Sequence, residues 1–281
     1  MPAWMRRPLA REGAYVHVKG VLQRHGLHTV CRSAKCPNQG ECFSAGTATF
    51  LVAGGVCTRA CRFCAVEPGS PPPLDPSEPE RVAAAVADLG LEHVVVTMVT
   101  RDDLPDGAAA HVAAVIRSVR AAAPEATIEV LTSDFRGSRE ALDLVLDERP
   151  DVFNHNVETV PRLYPVVRPQ ADYALSLSVL EHARQRSDAP VKSGLMVGLG
   201  ETVEEVVQVL QDLHRAGCSI VTIGQYLRPG PEHLPVAEFV QPEVFEALSR
   251  EARRIGLAAV ASGPFVRSSY RAKEAVIAAR G

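Results

Sequence analysis

The sequence predicts an α/β fold: a partial (β/α)6 TIM-like barrel with extensions at both ends. From residue 47 onwards, six apolar, β-branched segments alternate with helical patterns. Strict alternation of this kind favours parallel strands joined by crossover helices. An open, doubly wound sheet would produce the same alternation, so both arrangements remain open on periodicity alone.

The individual elements follow from the local patterns. Strands are predicted at residues 47–53, 93–99, 127–131, 152–157, 191–197 and 220–226, because these runs are apolar and β-branched. Helices are predicted between and after them, at 80–89, 108–122, 139–146, 175–184, 203–216 and 242–255. A further helix is predicted at 16–25, since Gly26 is a typical helix stop. We therefore divide the chain into an N-terminal extension (1–42), a core barrel (43–260) and a C-terminal extension (261–281).

Composition and charge narrow the classes of protein. The chain has 281 residues, of which 46% are hydrophobic, so it can bury one sizeable core. Its formal net charge of −3 gives no basic footprint, and we expect neither a nucleic acid nor a membrane as partner. The first residues lack the apolar core of a secretory signal, and no apolar run is long enough to span a membrane. We expect a cytoplasmic protein.

Three cysteines follow the first predicted strand. Cys57, Cys61 and Cys64 form a C-x3-C-x2-C pattern, and no fourth cysteine or histidine follows nearby. Three soft thiolates can hold three irons of a 4Fe-4S cube and leave the fourth iron open to another ligand. A zinc site completed by a distant residue is the alternative.

A second group of three cysteines lies upstream. Cys31, Cys36 and Cys42 stand at gaps of four and five residues in a loop rich in Pro, Gly and Asn. Six of the seven cysteines thus crowd into residues 31–64, which is typical of metal sites rather than of a disulfide framework. The remaining one, Cys218, is predicted to be a buried structural thiol.

Polar residues also interrupt the predicted strand ends. They are residues 97–103, Ser133, Asp134, Asn154, Asn156, Glu158, Lys192 and Gln225. The carboxyl ends of parallel strands line the site of an α/β protein, so these residues are candidates for ligand contacts. The alternative is that they are ordinary strand-end residues facing water. For Asn154, Asn156 and Glu158, a spacing of two predicts one shared strand face.

The cysteine pattern with Phe63 before its last member resembles the radical S-adenosylmethionine (SAM) enzymes. Further motifs, in order along nearly the whole chain, resemble the lipoyl synthase family within them. They are the trio Cys31, Cys36 and Cys42, Gly-Thr-Ala-Thr-Phe at 46–50, Arg-Asp-Asp-Leu-Pro-Asp-Gly at 101–107, Asp-Phe-Arg-Gly at 134–137, Val-Phe-Asn-His-Asn at 152–156, Lys-Ser-Gly-Leu-Met-Val-Gly-Leu-Gly-Glu at 192–201 and Arg-Ser-Ser-Tyr at 267–270.

The resemblance implies a radical SAM barrel enzyme with two 4Fe-4S clusters. Cys57, Cys61 and Cys64 would hold the cluster that binds SAM and cleaves it reductively. The resulting radical would remove hydrogen from carbons 6 and 8 of an octanoyl chain on a carrier protein, where sulfur is inserted. The resemblance assigns the auxiliary, sulfur-donating cluster to Cys31, Cys36, Cys42 and Ser268. Ser269 is the near competitor, and motif position alone favours Ser268.

The resemblance also implies contacts and partners. The residues expected to face SAM are Phe63, Thr97, Asn154, Asn156, Glu158 and Lys192. The expected partners are an octanoylated lipoyl carrier domain or protein and an electron donor such as ferredoxin or flavodoxin. Two other hypotheses remain open. One is another radical SAM sulfur-inserting enzyme, and the other is a non-catalytic zinc-binding protein.

Overall fold

The structure is a computed structural model that describes residues 2–5, 13–45 and 47–280. The chain forms two compact units. The amino-terminal unit comprises Arg7–Arg59 and Ala65–Asp151, and the carboxyl-terminal unit comprises Met1–Arg6, Ala60–Cys64 and Val152–Gly281. Gly46, which opens one of the motifs above, lies outside the described residues.

The amino-terminal unit is built on a mainly parallel sheet. Its described helices are α1 (Ala14–Arg24), α2 (Val30–Ser33), α3 (Gln39–Ser44), α4 (Glu78–Leu89), α5 (Ala109–Ala122) and α6 (Arg139–Leu146). Its strands are β1 (His28–Thr29), β2 (Thr49–Val52), β3 (Val56–Cys57), β4 (Glu67–Pro68), β5 (His93–Met98) and β6 (Thr127–Leu131). The sheet order is β1-β2-β5-β6, with β1 antiparallel to β2 and the other pairs parallel. β3 and β4 form a separate small pair.

The central strands β2 and β5 of this unit are buried. All four residues of β2 and nearly all of β5 are buried, as expected of parallel strands with both faces covered. α4 ends at Gly90, whose φ of 59° is the left-handed conformation that favours glycine at a helix end. The segment after β5 lies beside the start of the cysteine loop, where the Thr58 N–H donates to the Thr100 carbonyl oxygen at 3.1 Å.

The segment before the predicted barrel folds onto this same unit. α1 packs against α3 and α4. The guanidinium of Arg81, on α4, donates to the carbonyl oxygens of His25 at 2.6 Å and Gly26 at 3.0 Å. α1 ends at Arg24, as the stop signal at Gly26 predicts. Hydrogen bonds from α4 hold the two residues that follow it.

The carboxyl-terminal unit carries a parallel sheet in the order β7-β8-β9-β10. Its elements are β7 (Val152–Asn154), α7 (Tyr164–Val167), α8 (Tyr173–Arg186), β8 (Val191–Val197), α9 (Val203–Arg215), β9 (Ile220–Gln225), α10 (Pro242–Ile255), β10 (Ala259–Gly263) and α11 (Ala272–Arg280). Under α11, Val276 joins Val152, Ile220 and Ala259 in one apolar cluster. The last helix is thus anchored on the sheet.

All six predicted strands and all seven predicted long helices are present. Three features differ from the prediction. β10 (Ala259–Gly263) is not among the six predicted strands, because its mainly small residues carry a weak apolar signal. The second cysteine loop contains the short helices α2 and α3. β7 ends at Asn154, so Asn156 and Glu158 follow the strand and do not share its face. Within the described residues, every helix is too short or too polar to cross a membrane.

Candidate active site

The chain leaves β2 in a turn that is held from both sides. Ala53 has a φ of 65°, which is unusual for a residue with a side chain. Its N–H donates to the Glu78 carboxylate at 2.8 Å, and its carbonyl oxygen accepts from Arg101 at 3.1 Å. His111 Nε2 lies 2.7 Å from the same Glu78 carboxylate, buried in the unit. These bonds stabilise a strained entry into the cysteine loop.

Cys57 is fixed through its backbone and its sulfur. It lies in β3, and its carbonyl oxygen accepts from the Gly69 N–H at 2.8 Å. The Arg59 N–H donates to Cys57 Sγ at 3.4 Å. Thr58, between them, donates from its N–H at 3.1 Å and from its hydroxyl at 3.0 Å to the Thr100 carbonyl oxygen. The first cysteine of the trio therefore has a defined position in the amino-terminal unit.

The Arg59 side chain binds two carboxylates at once. Its guanidinium donates to Asp102 at 2.7 and 3.0 Å and to Asp134 at 2.6 and 2.7 Å. Burial alone would lower the pKa of Arg59. The hydrogen bonds to Asp134 and Asp102 outweigh this effect, so the pKa of Arg59 lies above its usual value. The strand-end candidates Asp102 and Asp134 are thus joined to the cysteine loop.

Cys61 and Cys64 belong to the carboxyl-terminal unit and lie on a turn that this unit holds. The Cys64 N–H donates to the Cys61 carbonyl oxygen at 3.0 Å. Arg62, between them, donates from its N–H to the Val167 carbonyl oxygen at 3.0 Å. His233 Nε2 lies 3.0 Å from the Cys64 carbonyl oxygen. Phe63, in the same turn, is half-buried.

The second cysteine trio gathers in the amino-terminal unit. Burial raises the pKa of Cys31 to about 11, with a further increase from the neighbouring Cys36 thiolate. Burial also raises the pKa of Cys42 to about 12, together with repulsion from Cys31 and Cys36. The three thiols therefore act on one another electrostatically. Their desolvated thiolates would be stabilised by a metal centre.

The donor set consists of free thiols, which suit the thiolate ligation of iron–sulfur clusters. No disulfide joins any of the seven cysteines, all of which the structure describes. Within the described ranges, no three His, Cys, Asp or Glu side chains converge closely enough to hold one metal ion.

The strand-end candidates are mostly buried rather than facing water. Thr97, on β5, donates to the Leu131 carbonyl oxygen at 3.2 Å. Asn154 and Lys192 are buried and pair in register across β7 and β8. Gln225 is also buried, but its amide bonds Tyr226, Glu238 and Val240 and so orders the loop after β9. The solvent-facing alternative is wrong for these four residues.

Asn156 and Glu158 form a polar chain with Ser268. The Ser268 hydroxyl donates to Asn156 Oδ1 at 2.8 Å, and Asn156 Nδ2 donates to Glu158 at 3.0 Å. Burial raises the pKa of the Glu158 carboxyl, and the nearby Arg168 only partly opposes this change. The structure therefore brings the predicted ligand Ser268 together with two of the predicted SAM contacts. α11 begins at Ala272, so neither Ser268 nor Ser269 directly precedes this helix.

Two glycines let the C-terminal segment approach the sheet. A Cβ on Gly194, in β8, would lie 2.9 Å from both Ser268 Oγ and Asn156 Oδ1. A Cβ on Gly224, in β9, would lie 2.1 Å from the Val266 carbonyl oxygen. Because neither glycine carries a side chain, the Arg-Ser-Ser-Tyr segment lies directly over these strands.

Residues that the sequence reasoning did not single out complete the site. They are Arg59, Glu78 and His111. The sequence feature that could have identified Arg59 is its position between Cys57 and Cys61 in the cysteine loop. Nothing local marks Glu78 and His111, which lie on different helices and meet only in the fold. Cys218 is buried as predicted, and burial raises the pKa of its thiol.

Comparisons with known proteins identify the family. The pattern described as the radical SAM superfamily matches residues 51–213. The lipoyl synthase of Alkaliphilus metalliredigens is 50% identical over 98% of this chain and 95% of its own. The lipoyl synthase of Pelodictyon phaeoclathratiforme is 54% identical over 97% of this chain and 93% of its own.

A solved structure supports the fold. Methylornithine synthase has a TM-score of 0.54 and 15% identity, covering 88% of this chain and 69% of its own. Together with the family match, this likeness confirms the predicted α/β fold class, a partial barrel of the radical SAM type. The sequence similarity, in turn, extends over both cysteine trios. The chain belongs to the radical SAM superfamily and, within it, to the lipoyl synthases.

Proposed function

We propose that this protein is a lipoyl synthase enzyme, which inserts two sulfur atoms at carbons 6 and 8 of a protein-bound octanoyl group. The observation that carries the proposal is its similarity to lipoyl synthases over nearly the full length of both chains. The matched region includes every cysteine of both trios and the serine motif near the carboxyl end.

Cys57, Cys61 and Cys64 would hold the 4Fe-4S cluster that binds SAM. When bound, this cluster and SAM supply the radical chemistry that breaking an unactivated C–H bond requires. The side chains proposed to contact SAM are Phe63, Thr97, Asn154, Asn156, Glu158 and Lys192. For Thr97, Asn154 and Lys192, the support is the burial of polar groups at strand ends, where the ligands of such folds bind.

Cys31, Cys36, Cys42 and Ser268 would hold the auxiliary cluster that donates sulfur. Crowding of the three thiols supports this assignment, since a metal centre relieves their mutual repulsion. A serine oxygen is a harder ligand than a thiolate and binds iron less typically, which suits an iron that must be released. In this division of labour, residues 1–42 carry the auxiliary cysteines, 43–260 the radical SAM core and 261–281 the serine motif.

The proposed partners follow from the reaction. The substrate is an octanoylated lipoyl carrier domain or protein, and the electron comes from a donor such as ferredoxin or flavodoxin. We propose a cytoplasmic enzyme that binds neither nucleic acid nor membrane. The net charge of −3 supports the absence of these two partners, because nucleic acids and anionic membranes attract a basic protein surface.

The test is anaerobic incubation of the iron-reconstituted protein with an octanoylated carrier domain, reductant and SAM. We expect lipoylated carrier by mass spectrometry and about eight irons per chain, as two four-iron clusters require. Cleavage of SAM without a lipoyl product would indicate a different acceptor. A colourless protein that contains zinc and no iron would exclude both enzyme hypotheses.

A matched pair of cysteine variants tests the ligand assignment. Cys36→Ala should lose the auxiliary cluster, about half of the iron, and the lipoyl product while it still cleaves SAM. Cys218→Ala removes a buried thiol outside both trios and should retain full iron content and product. Equal iron content in the two variants would contradict the assignment of Cys36.

A further inference from the structure

The Arg59 clamp, formed by Arg59, Asp102 and Asp134, connects three segments of the amino-terminal unit. Arg59 lies in the cysteine loop, Asp102 follows β5 and Asp134 follows β6. The Arg59 side chain is only 7% exposed and that of Asp134 only 1%. Each carboxylate accepts two hydrogen bonds from one guanidinium, a geometry that a lysine ammonium cannot reproduce.

The backbone around the clamp is joined to it by further bonds. The Asp102 N–H donates to the Thr58 hydroxyl at 3.0 Å, and that hydroxyl donates to the Thr100 carbonyl oxygen at 3.0 Å. Thr58, which precedes Arg59, and Asp102, which binds the Arg59 side chain, are therefore hydrogen-bonded to each other. The Arg59 N–H, which donates to Cys57 Sγ, has little freedom to turn away.

We propose that Arg59 is a positioning residue, which uses Asp102 and Asp134 to hold its own N–H on the Cys57 sulfur and thereby sets the reduction potential of the cluster. This inference rests on the proposed function, in which Cys57 is a cluster ligand. Hydrogen bonds to ligand sulfurs and nearby charge both change the potential of iron–sulfur clusters.

A structural role and a positioning role for the clamp predict different results. A purely structural ion pair would stabilise the fold and leave the spectrum and potential of the cluster unchanged. A positioning role predicts changes in both quantities without loss of iron, because residues behind metal ligands tune the centre.

The decisive variant is Arg59→Lys, which keeps the charge and loses the two-carboxylate geometry. The matched control is Arg254→Lys, since Arg254 makes the same two-bond pair with Glu251, at 2.9 and 2.5 Å, on the exposed face of α10. Reconstituted proteins are compared by iron content, thermal unfolding, and electron paramagnetic resonance of the reduced signal that changes when SAM is added. A redox titration of that signal gives its midpoint potential.

For Arg59→Lys we expect unchanged iron content, an altered spectrum, a lower midpoint potential and about 10- to 100-fold slower SAM cleavage. Arg254→Lys should match the wild type in every readout. A spectrum, potential and rate equal to the wild type in Arg59→Lys would overturn the inference.

A second variant keeps the test decisive if Arg59→Lys does not fold. Asp102→Asn removes one carboxylate at a side chain that is 26% exposed, so it disturbs the core less. It should retain its iron, alter the same spectrum and slow SAM cleavage; wild-type behaviour would overturn the clamp. A wild-type protein without a SAM-responsive cluster would instead overturn the proposed function, and this inference with it.

Discussion

The Ser268 hydroxyl donates a hydrogen bond to Asn156 Oδ1 at 2.8 Å, which joins a residue near the carboxyl end to the segment after β7. The serine proposed to bind the auxiliary cluster and an asparagine proposed to face SAM therefore share one bond. Their functions are expected to depend on each other, and side-chain substitutions can test this.

Ser268→Ala should abolish lipoyl product while SAM cleavage continues. The variant loses the proposed oxygen ligand and one hydrogen bond, whose removal costs about 1 kcal/mol of folding stability. Product is measured by mass spectrometry of the carrier and stability by thermal unfolding. Ser269→Ala is the neighbouring control and should retain product, whereas loss of product in that variant alone would make Ser269 the ligand.

Gly224→Ala should displace the segment that carries Ser268. The new Cβ would lie 2.1 Å from the Val266 carbonyl oxygen, a backbone atom that cannot rotate away. We expect a stability loss of about 1–3 kcal/mol and faster hydrogen exchange of residues 264–270, as overpacking forces the backbone to move. In Gly263→Ala, the nearest side-chain atom lies at an ordinary 3.6 Å, so that control should exchange like the wild type. Identical exchange in the two variants would refute the close approach.

Much of this arrangement could be predicted, and the reason for the remainder is physical. Apolar runs and helix periodicity located the strands and long helices because each burial pattern is local. β10 was missed because Ala259 to Gly263 are small and weakly apolar, and its position depends on pairing with β9. Cysteine spacing marked both candidate clusters. The contacts of Arg59 with Asp102 and Asp134 could not be predicted, since the partners lie 43 and 75 residues away in the chain.

Glu78→Ala should destabilise the amino-terminal unit. It would leave the Ala53 N–H and buried His111 without the carboxylate that both now contact. Losing the shared partner of two buried groups should lower the free energy of unfolding by about 2–5 kcal/mol, measured by urea denaturation. Glu80→Ala, on the exposed face of the same helix, should change it by no more than about 0.5 kcal/mol. Equal losses of unfolding free energy in the two variants would show that the buried contacts of Glu78 add no stability.

Glu205 should make part of the stability depend on acid pH. Its hydrogen bonds with Arg162, and next with the Thr202 N–H, lower its pKa from 4.5 to about 2. Because the folded pKa lies below the unfolded one, this contribution is fully present above about pH 4.5 and is lost as pH falls towards 2. Glu205→Gln can still accept from the Thr202 N–H, yet it should flatten the decline in unfolding free energy over that range. An unchanged slope would mean that the ion pair with Arg162 contributes no pH-dependent stability.

The anchoring of α11 on β7, β9 and β10 has a consequence for the serine motif. Residues 264–271 connect β10 to α11, so Ser268 lies in a short bridge attached at both ends and not on a loose terminus. Removing the chain after residue 271 would turn this bridge into a free end with many more conformations. The last helix therefore acts as a tether that pre-orders Ser268, although it contributes none of the proposed ligands.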